Sequence, residues 1–152
     1  MTRILVADDH EIVLEGIRGL VGRAERDWEI VGEARNGKEA VQMVRSLRPD
    51  VVVLDVTMPE MSGLQAAKEI VQSGADCRIL IFTMHESERL EPEVRQTGAH
   101  GYVLKSQAAR DLVRAIDCLL SGDTFYGSPE TRQVRPAKGK NGPMFFQALA
   151  FA

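Results

Sequence analysis

The run Val51 Val52 Val53 Leu54 Asp55 carries four apolar residues, three of them β-branched, and stops on a carboxylate. Unbroken apolar character is what a strand buried on both faces requires, so this run is expected at the centre of a parallel sheet. Arg48, Pro49 and Asp50 break the chain before it, and a loop over residues 55–62 leads into a helix over residues 63–72. Towards the amino terminus, Ile4 Leu5 Val6 Ala7 reads as a first strand, followed by a helix with Ile12, Val13, Ile17, Leu20 and Val21 on one face. Residues 28–34 read as a second strand, and Asn36 with Gly37 turns into a helix carrying Ala40, Val41, Val44 and Leu47. Towards the carboxyl terminus, residues 78–82 give a fourth strand, residues 86–97 a more polar helix stopped at Gly98, residues 101–104 a fifth strand, and residues 108–120 a last amphipathic helix.

Five strands alternating with five helices within about 120 residues imply a doubly wound α/β fold: parallel neighbours need crossover helices, and these cover both faces of the sheet. The flavodoxin-like strand order 2-1-3-4-5 is the natural one for five such units, and its ligand site lies at the carboxyl ends of the first and third strands. Both of those ends are acidic, in Asp8 and Asp9 and in Asp55.

The composition bounds the function. With 44% apolar and 27% charged residues among 152, the chain is expected to fold around one core. Residues 1–127 carry fifteen basic and twenty-one acidic side chains, whereas residues 128–142 carry Arg132, Arg135, Lys138 and Lys140 against Glu130. An acidic body argues against nucleic-acid binding through a general field, and only the short basic segment points the other way. Cys77 and Cys118 lie far apart without a CxxC partner, which indicates neither a zinc site nor a disulfide framework and fits a reducing cytoplasm. The apolar amino-terminal run is too short for a signal peptide or a membrane span.

Three carboxylates converging at a switch point repel one another unless a cation neutralises them, and hard oxygen ligands suit Mg²⁺ better than zinc. A carboxylate beside that cation can attack a phosphoryl group and become an aspartyl phosphate. The chemistry then needs a cation reaching the phosphoryl oxygens, for which Lys105 ends the fifth strand, and a hydroxyl donor, for which Thr83 follows the fourth. Taken singly, Asp8 and Asp9 read as helix caps, Thr83 as a strand residue and Lys105 as a surface lysine; their joint placement at strand ends separates the functional reading from these ordinary ones.

Four pieces in order, Ile4 Leu5 Val6 Ala7 Asp8 Asp9 His10, then residues 53–63 (Val Leu Asp Val Thr Met Pro Glu Met Ser Gly), then Phe82 Thr83, then Gly101 Tyr102 Val103 Leu104 Lys105, make the sequence resemble the response regulator receiver family over residues 3–121. The resemblance implies that Asp55 is phosphorylated by a sensor histidine kinase, that Asp8 and Asp9 hold Mg²⁺ with Asp9 as the direct ligand, and that the backbone carbonyl of Thr57 completes the metal shell. It further implies that Lys105 pairs with the phosphoryl group, that Thr83 is the switch hydroxyl, and that Tyr102 is the aromatic residue whose rotamer follows it, with a weak homodimer as one output. Ser106 stands where the commonest family pattern has proline, so no cis peptide is assumed there.

The pair of segments 101–106 and 122–130 resembles the LuxR-type subgroup, whose carboxyl-terminal domain is a helix-turn-helix. The expected organisation is a receiver over residues 1–127, a basic linker over 128–142 and an apolar tail over 143–152, with no room for that output domain. No sequence-specific DNA binding is expected from this chain, and the alternative reading is a remnant or truncated form of a LuxR-type DNA-binding transcriptional regulator. Three other readings fail on residues. A corrinoid-type DxHxxG loop would need glycine at Val13, a flavin-phosphate loop would meet the charges of Asp8, Asp9 and Glu11, and a haloacid-dehalogenase DxD pair would need an acid at Thr57.

Overall fold

The computed structural model describes residues 1–127; the expected linker and apolar tail lie outside the described residues. The elements in chain order are β1 (Thr2–Ala7), α1 (Glu11–Arg23), β2 (Trp28–Ala34), α2 (Gly37–Leu47), β3 (Val51–Asp55), α3 (Gly63–Gln72), β4 (Arg78–Thr83), α4 (Leu90–Thr97), β5 (Gly101–Leu104), a single 3₁₀ turn (Lys105–Gln107), α5 (Ala108–Leu120) and β6 (Phe125–Tyr126). The sheet order is β2-β1-β3-β4-β5-β6, with every pair parallel. The expected order 2-1-3-4-5 is therefore present, but the sheet has six strands rather than five.

Period-two alternation sorts β3 into two cores. Val51 and Val53 join Ile4, Val6, Leu80 and Val103 in the layer covered by α1 and α5, while Val52 and Leu54 join Leu5, Ala7, Ile79 and Ile81 under α2, α3 and α4. All five residues of β3 are buried, as its uninterrupted apolar run requires. The caps follow local chemistry: the Asn36 side chain accepts from Glu39 N at 2.8 Å at the start of α2, and Ser62 Oγ accepts from Gln65 N at 3.2 Å at the start of α3.

Three expectations are corrected. In α1 the inward stripe is Leu14, Ile17 and Val21, whereas Ile12 is 75% exposed; the helix starts only at Glu11, and that phase turns its first apolar residue outward. The helix α4 begins at Leu90 rather than residue 86, because Leu90 and Val94 are its only buried apolar anchors and the segment before it offers none. The short strand β6 arises where no period remains to be read. It fits beside β5 because Gly101 has no side chain: a Cβ there would lie 2.1 Å from the Phe125 carbonyl oxygen.

Candidate functional site

Register brings the acids together. Ala7 pairs with Leu54 across β1 and β3, so the next residues, Asp8 and Asp55, leave the sheet side by side. Asp55 is opposite Phe82 on β4, Thr83 is opposite Leu104 on β5, and Lys105 follows directly, so each candidate occupies a carboxyl end of a strand. Gly63 closes the floor: a Cβ there would meet the Asp55 carbonyl oxygen at 1.9 Å, so α3 can start against the end of β3 only with glycine at this position.

Asp8 and Asp55 are buried, and Asp9 and His10 are exposed at the mouth. The Lys105 ammonium lies 2.8 Å from Asp8 Oδ2, 3.1 Å from Asp55 Oδ1 and 5.8 Å from the Phe82 ring centroid. Burial pushes the Asp55 carboxyl above its usual range; the hydrogen bond from Lys105 opposes that, the Asp8 charge adds to it, and the Thr57 backbone N–H partly offsets it. Lys105 is held above its usual value, since hydrogen bonds and charge attraction from Asp8 and Asp55 together outweigh the opposing effect of burial. Thr83 is buried, with Oγ1 accepting from His85 N at 3.4 Å. The loop carrying Thr57 is pinned by Gly63 N donating to Val56 O at 2.8 Å, and Glu60 adopts a φ of 68° within it. The peptide bond joining Lys105 to Ser106 is trans, in keeping with serine in place of proline.

Two residues make contacts that the sequence did not foresee. Tyr102 is fully buried and meets Tyr126 edge-on, with ring centroids 6.0 Å apart, a contact that depends on the unforeseen β6. His10 is solvent-exposed and makes no side-chain cap; its Nδ1 lies 3.2 Å from Asp8 Oδ1 and 3.2 Å from Asp9 Oδ1. The only signal for this in the sequence was adjacency to the acid pair.

Asp8, Asp9, His10 and Asp55 each present a ligand atom, and these atoms lie within 4.8 Å of one another. The donor set fits a divalent cation, and the charge balance supports the fit: the Lys105 ammonium is shared between the buried carboxylates of Asp8 and Asp55, which leaves the acids of the pocket in excess. A pocket of acids with one cation, arranged at the switch point of a parallel sheet, can bind a metal and present one carboxylate to a phosphoryl group.

The sequence profile of the response regulator receiver domain matches residues 4–117. This chain belongs to the response regulator receiver family. It is 37% identical over 134 residues to the response regulator UvrY of Escherichia coli strain K12, an alignment covering 88% of this chain and 61% of UvrY. The chain thus spans less than two thirds of that relative. A solved two-component response regulator of the LuxR family from Aurantimonas sp. SI85-9A1 superimposes with a TM-score of 0.80 at 40% identity, covering 88% of this chain and 94% of that one. The isolated receiver domain of RcsB from Salmonella enterica serovar Typhimurium, solved in the presence of the phosphomimetic BeF3⁻, gives a TM-score of 0.78 at 28% identity over 88% of this chain and 99% of that one. The receiver of this chain is therefore a two-component signalling domain of LuxR-type kinship, with an acidic pocket formed by Asp8, Asp9 and Asp55. Among the described residues no helix is long and apolar enough to cross a membrane.

Proposed function

We propose that Asp55 is the phosphoacceptor of a phosphorelay and takes its phosphoryl group from a sensor histidine kinase. The observation that carries this reading is the shared lysine: Lys105 Nζ is within 2.8 Å of Asp8 and 3.1 Å of Asp55 at the one pocket where strand ends converge. A carboxylate oxygen of Asp55 attacks phosphorus, the P–N bond of the phosphohistidine breaks, and its electron pair returns to the imidazole nitrogen, which takes up a proton. Asp8, Asp9, Asp55 and the backbone carbonyl of Thr57 would hold Mg²⁺, which when bound offsets charge on the phosphoryl oxygens. Lys105 then shifts its pairing from Asp55 to a phosphoryl oxygen, and the Thr83 hydroxyl donates to another. Movement of Thr83 loosens the space beside Tyr102, so that the ring and its Tyr126 partner report the phosphorylated state to α4 and β5.

On this reading the chain is not an enzyme beyond catalysing its own phosphorylation and dephosphorylation, and it works in the cytoplasm. Its receiver, residues 1–127, is followed by a basic linker and an apolar tail, and phosphorylation favours a weak homodimer. The test is labelling with acetyl phosphate and Mg²⁺. One acid-stable, base-labile acyl phosphate is expected on the wild type and none on Asp55→Asn; equal labelling of both would falsify the assignment. A second reading, that these residues are the receiver portion of a LuxR-type DNA-binding transcriptional regulator, is favoured by the partial coverage of UvrY. It keeps the same phosphoacceptor chemistry and changes only the output.

A further inference from the structure

We propose that His10 is a nitrogen ligand of the acidic pocket and shifts its metal preference from Mg²⁺ towards first-row transition metals such as Mn²⁺ and Co²⁺. The inference rests on the metal-binding reading of Asp8, Asp9 and Asp55, and concerns which ion that pocket selects.

Geometry supplies the first argument. Two ligands at about 2.1 Å from an octahedral ion and at right angles to each other stand about 3.0 Å apart. His10 Nδ1 is 3.2 Å from one oxygen of Asp8 and 3.2 Å from one oxygen of Asp9, so the nitrogen stands from each acid at the spacing of adjacent corners of a coordination shell. The His10 backbone N–H also donates to Asp8 Oδ1 at 2.9 Å, which holds residue 10 next to the acid, and Nδ1 is the ring atom that meets the acids. Among the described residues nothing else competes for the ring, whose hydrogen-bond and ion-pair contacts there are with Asp8 and Asp9. The second argument is electrostatic. The Lys105 ammonium at 2.8 Å from Asp8 Oδ2 is shared with Asp55 at 3.1 Å, so one positive charge faces the carboxylates of Asp8, Asp9 and Asp55, an imbalance that a bound cation relieves.

Chemistry then sets the direction. Mg²⁺ prefers hard oxygen donors and retained waters, and gains little from an imidazole. Affinity of a mixed nitrogen and oxygen site rises from Mn²⁺ through Co²⁺ to Ni²⁺, and imidazole is a suitable donor for those ions. The side chain of His10 is 61% exposed, so an ion can reach it from solvent without opening the core. The competing arrangement is a plain Nδ1–H hydrogen bond shared between the two carboxylates, in which His10 orients Asp8 and Asp9 and treats every divalent ion alike.

Titration calorimetry with MgCl₂ and with CoCl₂, on the wild type and on His10→Ala, Asp9→Asn and the control His85→Ala, separates these cases. The expected result is that His10→Ala weakens Co²⁺ binding roughly tenfold and leaves Mg²⁺ within about twofold. The visible absorption of bound Co²⁺ should also shift in His10→Ala and remain unchanged in His85→Ala, and Asp9→Asn should weaken both ions. Equal weakening of both ions by His10→Ala, or no change in either, overturns the ligand role while leaving the acidic pocket standing. If Asp9→Asn changes neither ion, it is the metal-binding reading of the pocket that fails, and the inference with it.

Discussion

His100 precedes β5, and the Ile79 amide donates to its Nδ1 at 2.9 Å while its own amide donates to Ile79 O at 2.9 Å. An accepting Nδ1 requires the neutral ring, and burial, helped by the positive charge of Arg78, holds the imidazole below its ordinary value. Below about pH 6.5 the unfolded chain binds this proton more readily than the folded one. The stability contributed by His100 is therefore complete above that pH and is lost as pH falls through the depressed folded value. His100→Ala should cost about 1–3 kcal/mol at pH 7.5, by leaving a buried amide unpaired, and distinctly less at pH 5. Urea midpoints at the two pH values check this; a gap that does not narrow rules the imidazole out. The cysteines give a second contrast. Burial, with Asp50 and Asp76 adding to it, pushes the Cys77 thiol up to about 12, while Cys118 is only half-buried. A disulfide reagent should modify Cys118 in the native protein and reach Cys77 only after unfolding, as counted by mass spectrometry. The positions of Asp8, Asp55, Thr83 and Lys105 were legible because each ends or directly follows an apolar strand. The contact of His10 with the acids was not, because composition does not reveal which way an exposed ring turns.

Two glycines let whole elements approach. At Gly63 an added Cβ would stand 1.9 Å from the Asp55 carbonyl oxygen, so α3 would have to retreat from the pocket floor. Gly63→Ala should lower stability by more than about 2 kcal/mol and impair phosphoryl transfer to Asp55, measured by denaturation and by acetyl phosphate labelling. Labelling at the wild-type rate would show that the start of α3 does not position Asp55. At Gly101 the same atom would stand 2.1 Å from the Phe125 carbonyl oxygen, so β6 is the element that must leave. Gly101→Ala should speed hydrogen exchange over residues 124–127 and alter the near-ultraviolet dichroism of the Tyr102–Tyr126 pair, while β1, β3 and β4 stay protected. Unchanged exchange over residues 124–127 would contradict the packing described. Both glycines were visible in the sequence, Gly63 as the start of a helix and Gly101 as the start of a strand. Their necessity was not, since it depends on what stands opposite them. The same holds for α1, whose stripe was read to include Ile12, which is exposed, and to leave out Leu14, which is buried.

Across the described residues both core layers close by Tyr126: β6 contributes Phe125 to the α1 and α5 side and Tyr126 to the other. A chain ending at Gly127 should therefore keep the thermal midpoint and urea dependence of the longer one to within measurement error; a clear loss of stability would mean that later residues complete the core. The order of alternating apolar runs and helical periods was sufficient to determine a doubly wound parallel sheet, because each strand is local in sequence and crossover connections have one hand. It also determined which strand ends are acidic, and with them the candidate pocket of Asp8, Asp9 and Asp55. The tertiary structure alone decided what depends on contacts between distant segments. The β1–β3 register sets Asp8 beside Asp55, Lys105 is shared between them, and β6 packs against Gly101. The His10 ring nitrogen stands 3.2 Å from both Asp8 and Asp9, and its backbone amide donates to Asp8. A two-residue strand has no period, and a side chain's direction leaves no mark on its neighbours, so only the folded chain, with each group facing its partner, holds that information.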